Sequence, residues 1–200
     1  MRALEPQDVL VACRLALGGR KPRKGKGKGE PTRRELADEL CLSLCCVQRA
    51  VQRLVTMKVL IAAPSRRGGV TVVPAKLFDL LVNVVPILCP VKKTGAARGM
   101  PTSVFSPELK DRFAGERLPA VWPYAQGVAG DGLMPIHPSA PRASAKNPAL
   151  YQLLATVDVL RVGLGREKDA AMKYIAAALT MDAKVDRDEE GEDDDDKLER

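Results

Sequence analysis

The chain has 200 residues, of which 46% are hydrophobic and 28% are charged. This composition allows one globular domain with an appendage, or two small domains, each with an apolar core. No apolar run approaches the roughly 18 residues that a membrane-spanning helix requires, so we expect a soluble cytoplasmic protein rather than a membrane protein.

The net charge of +7 is unevenly distributed along the chain. Residues 182–200 carry 11 acidic and 4 basic side chains, a local balance of −7, which leaves +14 on residues 1–181. A body this basic attracts polyanions, of which nucleic acid is the commonest in a cell. An anionic membrane surface is the alternative partner.

The first predicted helix covers residues 5–17, because Pro6 suits a first helical turn and Gly18 and Gly19 end the apolar pattern. Residues 20–29 are basic and glycine-rich, which predicts a mobile loop that serves either phosphate contact or solubility. Lys24 and Lys26 in this loop are candidate phosphate contacts.

A pattern typical of a helix-turn-helix follows. Thr32 and Glu35 form a capping box at the start of one helix, which ends near Leu40. Ser43 can cap a second helix over residues 44–58. Two short helices joined by a tight turn, the second with exposed basic and amide side chains, favour a DNA-reading domain.

Two β-prone runs, residues 59–62 and 70–73, flank a glycine turn that carries Arg66 and Arg67. They predict a β-hairpin wing, whereas Pro64 leaves a plain connector as the alternative. In a wing, the two arginines would lie at the tip, where they can contact phosphates.

The rest of the chain is predicted to be less regular at first and then helical. Pro74 opens a helix to about Val84, and ten of the fifteen prolines lie between Pro86 and Pro148, which predicts irregular loops with short strands. Two helices follow, over residues 148–162 and 166–181. The expected organisation is a DNA-binding domain (1–85), an irregular region (86–147), a helical pair (148–181) and a disordered acidic tail (182–200).

The segment Leu36-Ala37-Asp38-Glu39-Leu40-Cys41-Leu42-Ser43 resembles the DNA-reading heads of MarR-like and related bacterial winged-helix regulators. Residues 98–102, 121–123 and 150–161 are similar to segments of uncharacterised bacterial helix-turn-helix proteins of this size. The resemblance implies a mainly α fold with a small β wing, in which a winged helix-turn-helix precedes a loop-rich region and a helical pair. It implies no ligand and no operator sequence.

The second helix of the motif predicts the base contacts. A 100° wheel gathers apolar side chains on one side and polar side chains opposite them. The predicted buried side is Leu44, Val47, Val51 and Leu54, and the predicted base contacts are Cys45, Gln48, Arg49, Gln52 and Arg53. Arginine can bridge guanine O6 and N7, and glutamine can pair with adenine. A solvated helix face is the alternative interpretation.

The predicted phosphate contacts lie around this helix, at helix starts, in the basic loop and at the wing tip. They are Thr32, Arg33, Arg34, Ser43, Arg66, Arg67, Lys24 and Lys26.

The five cysteines, at positions 13, 41, 45, 46 and 89, are odd in number and lie within apolar patterns, which favours reduced thiols. Cys45 and Cys46 at a helix start leave open a redox sensor beside the simpler interpretation as small buried side chains. Zinc is not expected, because His137 lies far from the cysteines in the sequence. No cofactor is predicted.

The functional expectation is a dimeric transcriptional regulator of the repressor type that binds double-stranded DNA and is not an enzyme. Dimerisation is expected through the first helix or the C-terminal helical pair. The alternatives are a plasmid replication, partition or antitoxin component whose C-terminal half binds a protein, and a winged helix that binds only protein. Asp158 with Arg161 predicts an internal ion pair or a ligand anchor, and Trp122 a core residue or a stacking platform.

Overall fold

The computed structural model describes residues 3–18, 31–63, 69–107, 109–113, 115 and 118–188, which form a mixed α/β protein with helices and small sheets. The helices are α1 (Pro6–Ala16), α2 (Arg33–Leu40), α3 (Leu44–Thr56), α4 (Pro74–Asp79), α5 (Val85–Leu88), α6 (Lys110–Phe113), α7 (Ala140–Lys146), α8 (Pro148–Val162) and α9 (Gly165–Asp188). The strands are β1 (Leu60–Ala62), β2 (Val70–Val72), β3 (Lys93–Pro101), β4 (Ala120–Pro123) and β5 (Val128–Leu133).

Helices α1 and α8 are the interior of the molecule. Every residue of α1 from Asp8 to Arg14 is buried, and so is every residue of α8 from Gln152 to Leu160. A helix that is buried on all sides belongs to a core rather than to a surface. The expectation that the first helix forms a dimer interface is therefore wrong, since α1 packs against α2, α3, α4 and α8 of its own chain.

The two β-prone runs after α3 pair as an antiparallel hairpin. Leu60 lies opposite Val72, and Ala62 lies opposite Val70. Leu60 and Val70 are buried, whereas Ile61 is 50% exposed. The predicted hairpin is thereby confirmed, and the alternative of a plain connector is wrong. The predicted tip residues Arg66 and Arg67 lie outside the described residues.

The helix that starts at Pro74 runs further than predicted. After α4 the chain makes a π-helical turn over Leu80–Val84 and continues as α5 to Leu88. Pro86 lies in the first turn of α5, and the wider π turn before it accommodates a residue that has no N–H to donate.

Strands β3, β4 and β5 pair with one another in a small closed sheet, inside the region predicted to be irregular. β3 pairs antiparallel with both β4 and β5, and β4 pairs in parallel with β5. The strands approach closely because glycine lies between them: a Cβ on Gly99 would meet the Trp122 carbonyl oxygen at 1.8 Å. The glycines that indicated loops are here positions of close backbone contact.

The C-terminal helical pair is confirmed, with α8 over the predicted residues and α9 longer than predicted. α9 buries Ala171, Ile175 and Leu179 at helical spacing against the core. The backbone stays helical to Asp188, so the part of the predicted tail from 182 to 188 is helix. The sequence offers no glycine or proline to end the helix before Gly191.

Among the described residues, no helix combines the length and the apolar character needed to cross a membrane. The remainder of the predicted acidic tail, residues 189–200, and the predicted basic loop, residues 20–29, lie outside the described residues.

Candidate nucleic-acid interface

The start of α2 is fixed by the predicted capping box. The Thr32 hydroxyl accepts a hydrogen bond from the Glu35 N–H at 3.2 Å, and the Glu35 carboxylate accepts one from the Thr32 N–H at 2.7 Å. The backbone hydrogen bond from Thr32 is the main reason why the pKa of Glu35 is lowered. The charged carboxylate thus remains at the positive end of α2 at neutral pH.

The turn between α2 and α3 is three residues long. Cys41 takes the left-handed conformation at φ 53° and ψ 42°, which ends α2, and the Leu42 N–H donates to the Ala37 carbonyl oxygen at 3.0 Å. The Ser43 hydroxyl then accepts from the Cys46 N–H at 3.2 Å and caps α3. Both predicted caps are confirmed, and together they set the direction in which α3 leaves α2.

Helix α1 holds both helices of the motif through buried arginines. Arg14 of α1 donates to the Glu39 carboxylate of α2 at 2.6 Å and to the Gly18 carbonyl oxygen at 2.6 Å. Arg53 of α3 binds Asp8 of α1. Since α1 is in the core, these two ion pairs orient α2 and α3 against a fixed support.

Arg53 is the one predicted base contact that the structure places elsewhere. Its side chain is 6% exposed, and it donates to both carboxylate oxygens of Asp8, at 2.7 and 2.6 Å. Glu5 lies at 2.9 Å from the same guanidinium, and the hydrogen bond to Asp8 is the main reason why the pKa of Arg53 is raised. The assignment of Arg53 to base contact is therefore wrong.

The reason for this error is the partner Asp8, which lies in the first turn of α1. It does cap the helix, because it accepts the Glu5 N–H at 2.9 Å, but it is also completely buried. A buried carboxylate needs a charged or hydrogen-bonding partner, and Arg53 provides it. The available signal was the position of Asp8 directly before the apolar run 9–13.

The exposed side of α3 otherwise carries the predicted residues. We call the set Cys45, Gln48, Arg49, Gln52 and Thr56 the α3 stripe. All five are exposed and recur at helical spacing. The Thr56 hydroxyl donates to the Gln52 carbonyl oxygen at 2.9 Å, so its hydrogen is occupied within the helix.

The buried side of α3 differs from the prediction at its first residue. Leu44 is 38% exposed, whereas Ala50 is fully buried together with Val47 and Leu54. The buried side of α3 therefore includes Ala50 and Arg53, which binds Asp8 of α1. Leu44 lies at the edge of this buried side.

The predicted phosphate contacts divide into two groups. Thr32, Arg34 and Ser43 are exposed around the two helix starts, and Arg33 is half-buried. The other four lie outside the described residues: Lys24, Lys26, Arg66 and Arg67. Because Arg53 is paired internally, the cation of the α3 stripe is Arg49, and Arg33 and Arg34 add positive charge at the start of α2.

The cysteines fall into a buried pair and a group at the turn. Cys13 and Cys89 are buried, and burial raises the pKa of both thiols, to about 12 for Cys13. Cys41 and Cys46 are partly buried and Cys45 is exposed within the α3 stripe. No group of three candidate metal ligands occurs among the described residues, and redox sensing by Cys45 and Cys46 stays a prediction.

Asp158 forms the predicted internal ion pair, away from the α3 stripe. Its fully buried carboxylate accepts hydrogen bonds from Trp122 Nε1 at 2.6 Å, Thr102 Oγ1 at 2.9 Å and Arg161 at 2.5 Å. Burial raises the pKa of Asp158, and the Arg161 charge opposes that shift. Trp122 is 1% exposed and packs edge-on against Tyr151. Asp158 and Trp122 therefore both have structural roles in the core.

A cleft of about 630 Å³ lies where the ends of α1 and α2 meet the junction of α7 and α8. Three of the charged side chains that line it have partners: Arg14 pairs with Glu39, and Lys146 donates to the Asp38 backbone carbonyl oxygen at 2.7 Å. The hydrogen bond from Lys146 thus joins the end of α7 to α2 beside the cleft.

Comparison of the chain with protein-family models, with curated proteins and with solved structures finds no match. Function is therefore inferred from the geometry of α2, α3 and their surroundings.

Proposed function

We propose that this chain is a sequence-specific, double-stranded DNA-binding protein that acts as a transcriptional regulator of the bacterial helix-turn-helix kind, with α3 as its recognition helix. The observation that carries this proposal is the α3 stripe, an exposed row of amide, thiol and guanidinium groups on a helix that is fixed from behind by a buried ion pair.

The dimensions of α3 suit a DNA major groove. Its 13 residues extend over about 20 Å, and a major groove roughly 12 Å wide admits one α-helix. Arg49 at the centre of the stripe can donate to guanine O6 and N7, while Gln48 and Gln52 on either side can pair with adenine. Cys45, one turn earlier, offers a small side chain that permits close approach of the helix to the bases.

The element order supports a winged helix-turn-helix. Three helices precede a β-hairpin, and α1 packs against the other two. Lys58 takes the left-handed conformation, and the Val59 N–H donates to the Leu54 carbonyl oxygen at 3.0 Å, so β1 leaves α3 through a tight turn. A hairpin so close to the recognition helix supports the proposal of a wing that contacts the flanking backbone.

The start of α2 supplies the expected contacts to the sugar-phosphate backbone. Arg33 and Arg34 lie in its first turn, where the helix dipole also favours an anion. Glu35 weakens this site, because its ionised carboxylate already occupies the Thr32 N–H. We therefore assign phosphate binding to the two arginine side chains rather than to the capped backbone.

Selection of bound genomic fragments by the purified full-length chain tests this proposal. We expect enriched duplexes to share a short motif and to bind at least about 1000-fold more tightly than random duplex near 0.15 M salt. Binding of all duplexes with one affinity would contradict sequence-specific reading, and no binding to any duplex would contradict a DNA role.

A further inference from the structure

Six exposed apolar side chains lie on α5 and the π turn before it, and at or just after the ends of β5 and α8. Their exposed fractions are 42% for Val84, 82% for Ile87, 39% for Leu88, 46% for Met134, 37% for Val162 and 73% for Leu164. We call this set the α5–α8 patch. Single exposed apolar residues are ordinary on a protein surface, but a contiguous group marks an interaction site.

Arg161 makes these chain ends neighbours. Its guanidinium donates to the carbonyl oxygens of Cys89 at 2.8 Å, Met134 at 3.3 Å and Pro90 at 3.5 Å. It also binds the Asp158 carboxylate at 2.5 Å, and its side chain is 2% exposed. The residues next to these carbonyls therefore surround one buried cation that is paired with Asp158, and the six side chains of the patch are themselves apolar.

The helical part of the patch belongs to a segment that has apolar side chains on its outer side as well as on its inner side. Val84, Ile87 and Leu88 recur at a spacing of three and four residues on the outer side, whereas Leu81 and Val85 are fully buried on the inner side. The inner face is used by the core of the chain, and the outer face has no cover among the described residues.

We propose that the α5–α8 patch is the interface of a homodimer, with a second copy of this chain as its occupant. The six side chains expose apolar area on the order of 500 Å². A stable interface buries about 800 Å² per partner, of which about 65% is apolar in homodimers. The patch thus supplies the apolar centre that a two-fold dimer requires.

The margin of the patch carries charged residues of both signs. Lys92 lies beside Met134, because its carbonyl oxygen accepts the Met134 N–H at 2.8 Å. Glu167 lies beside Leu164, because its carboxylate accepts the Leu164 N–H at 2.9 Å. In an isologous contact each copy presents the same charged margin around the apolar centre.

This inference deepens the proposed function, since a pair of α3 helices can read two half-sites of a symmetric operator. It places dimerisation at the outer ends of α5 and α8 instead of on α1. Its test uses no DNA, so its failure is distinguishable from failure of DNA binding.

The test is the mass of the full-length protein in solution, measured by light scattering after size exclusion at about 50 µM, well above a micromolar Kd. We expect the wild type to have twice the chain mass of 21.6 kDa. The double variant Ile87→Asp with Leu164→Asp should be monomeric, since paired carboxylates in the apolar centre would raise the dimer Kd at least about 100-fold.

Leu118→Asp is the matched control, because Leu118 is 71% exposed and is outside the patch. It should remain dimeric. The single variant Ile87→Lys provides a second test if the double variant does not give a native thermal transition. A monomeric wild type, a dimeric Ile87→Lys or double variant, or a monomeric Leu118→Asp would each overturn the proposal.

Discussion

Arg53 and Asp8 form a bidentate ion pair in the interior of the protein, with N–O distances of 2.7 and 2.6 Å. Arg53 is 6% exposed and Asp8 is fully buried. The pair joins α3 to α1 and fixes the rotation of α3 about its axis. It thereby determines which residues of α3 face solvent, and Arg49 is among them.

Loss of Arg53 should destabilise the fold much more than loss of Arg49. Arg53→Ala leaves the Asp8 carboxylate buried without its partner, and we expect the free energy of unfolding to fall by about 3 to 5 kcal/mol. Arg49→Ala, on the exposed side of the same helix, should change it by less than about 0.5 kcal/mol. Urea unfolding of both variants makes the comparison, and equal losses would contradict the assigned orientation of α3.

Gly99→Ala should disrupt the three-stranded sheet. An added Cβ would lie 1.8 Å from the Trp122 carbonyl oxygen, a backbone atom that cannot move without breaking the β3–β4 pairing. We expect a loss of at least about 3 kcal/mol in thermal or urea unfolding. Gly165→Ala is the control, because no atom lies within 4 Å of its added Cβ. A tolerated Gly99→Ala would mean that β3 and β4 are not paired in this register.

Cys13 should make the protein lose stability at alkaline pH. Burial raises the pKa of its thiol from 9.0 to about 12, so the folded state holds the proton more tightly than the unfolded state. This contribution is fully present below pH 9 and is lost as the pH rises toward 12, by about 1.4 kcal/mol per pH unit.

This prediction is tested by measuring the free energy of unfolding of the wild type and of Cys13→Ala by urea denaturation from about pH 8 to about pH 11. The variant lacks the ionisable thiol, so its stability should fall less steeply above pH 9. Parallel curves for the two proteins would show that Cys13 is not buried as a neutral thiol.

The helices on either side of residues 86–147 could be predicted because their signals are local, whereas α6 and α7 lie in the region predicted to be irregular. Pro6 lies at the first position of α1, and the Thr32 and Ser43 caps bind N–H groups three residues away. The structure confirms all three helix starts. The exposed α3 stripe follows from the same helical period, with four of five predicted base contacts on the exposed side of α3.

What could not be predicted depends on partners distant in the sequence. Arg53 is 45 residues from Asp8, and a helical wheel treats an arginine as solvent-facing whatever lies beside it. The pairing of β3, β4 and β5 could not be predicted for the same reason. Gly99 and Gly130 indicate a loop unless the neighbouring backbones that exclude a Cβ are known.

The most direct measurement of the central claim is the affinity of Arg49→Ala for an enriched duplex and for a random duplex of equal length. If α3 reads bases, this variant should lose about 1 to 3 kcal/mol of binding free energy on the enriched duplex and almost none on the random one. Its unfolding free energy should equal that of the wild type, which separates a contact from a folding effect. Equal losses on both duplexes, or no loss on either, would contradict the assignment of α3 as the recognition helix.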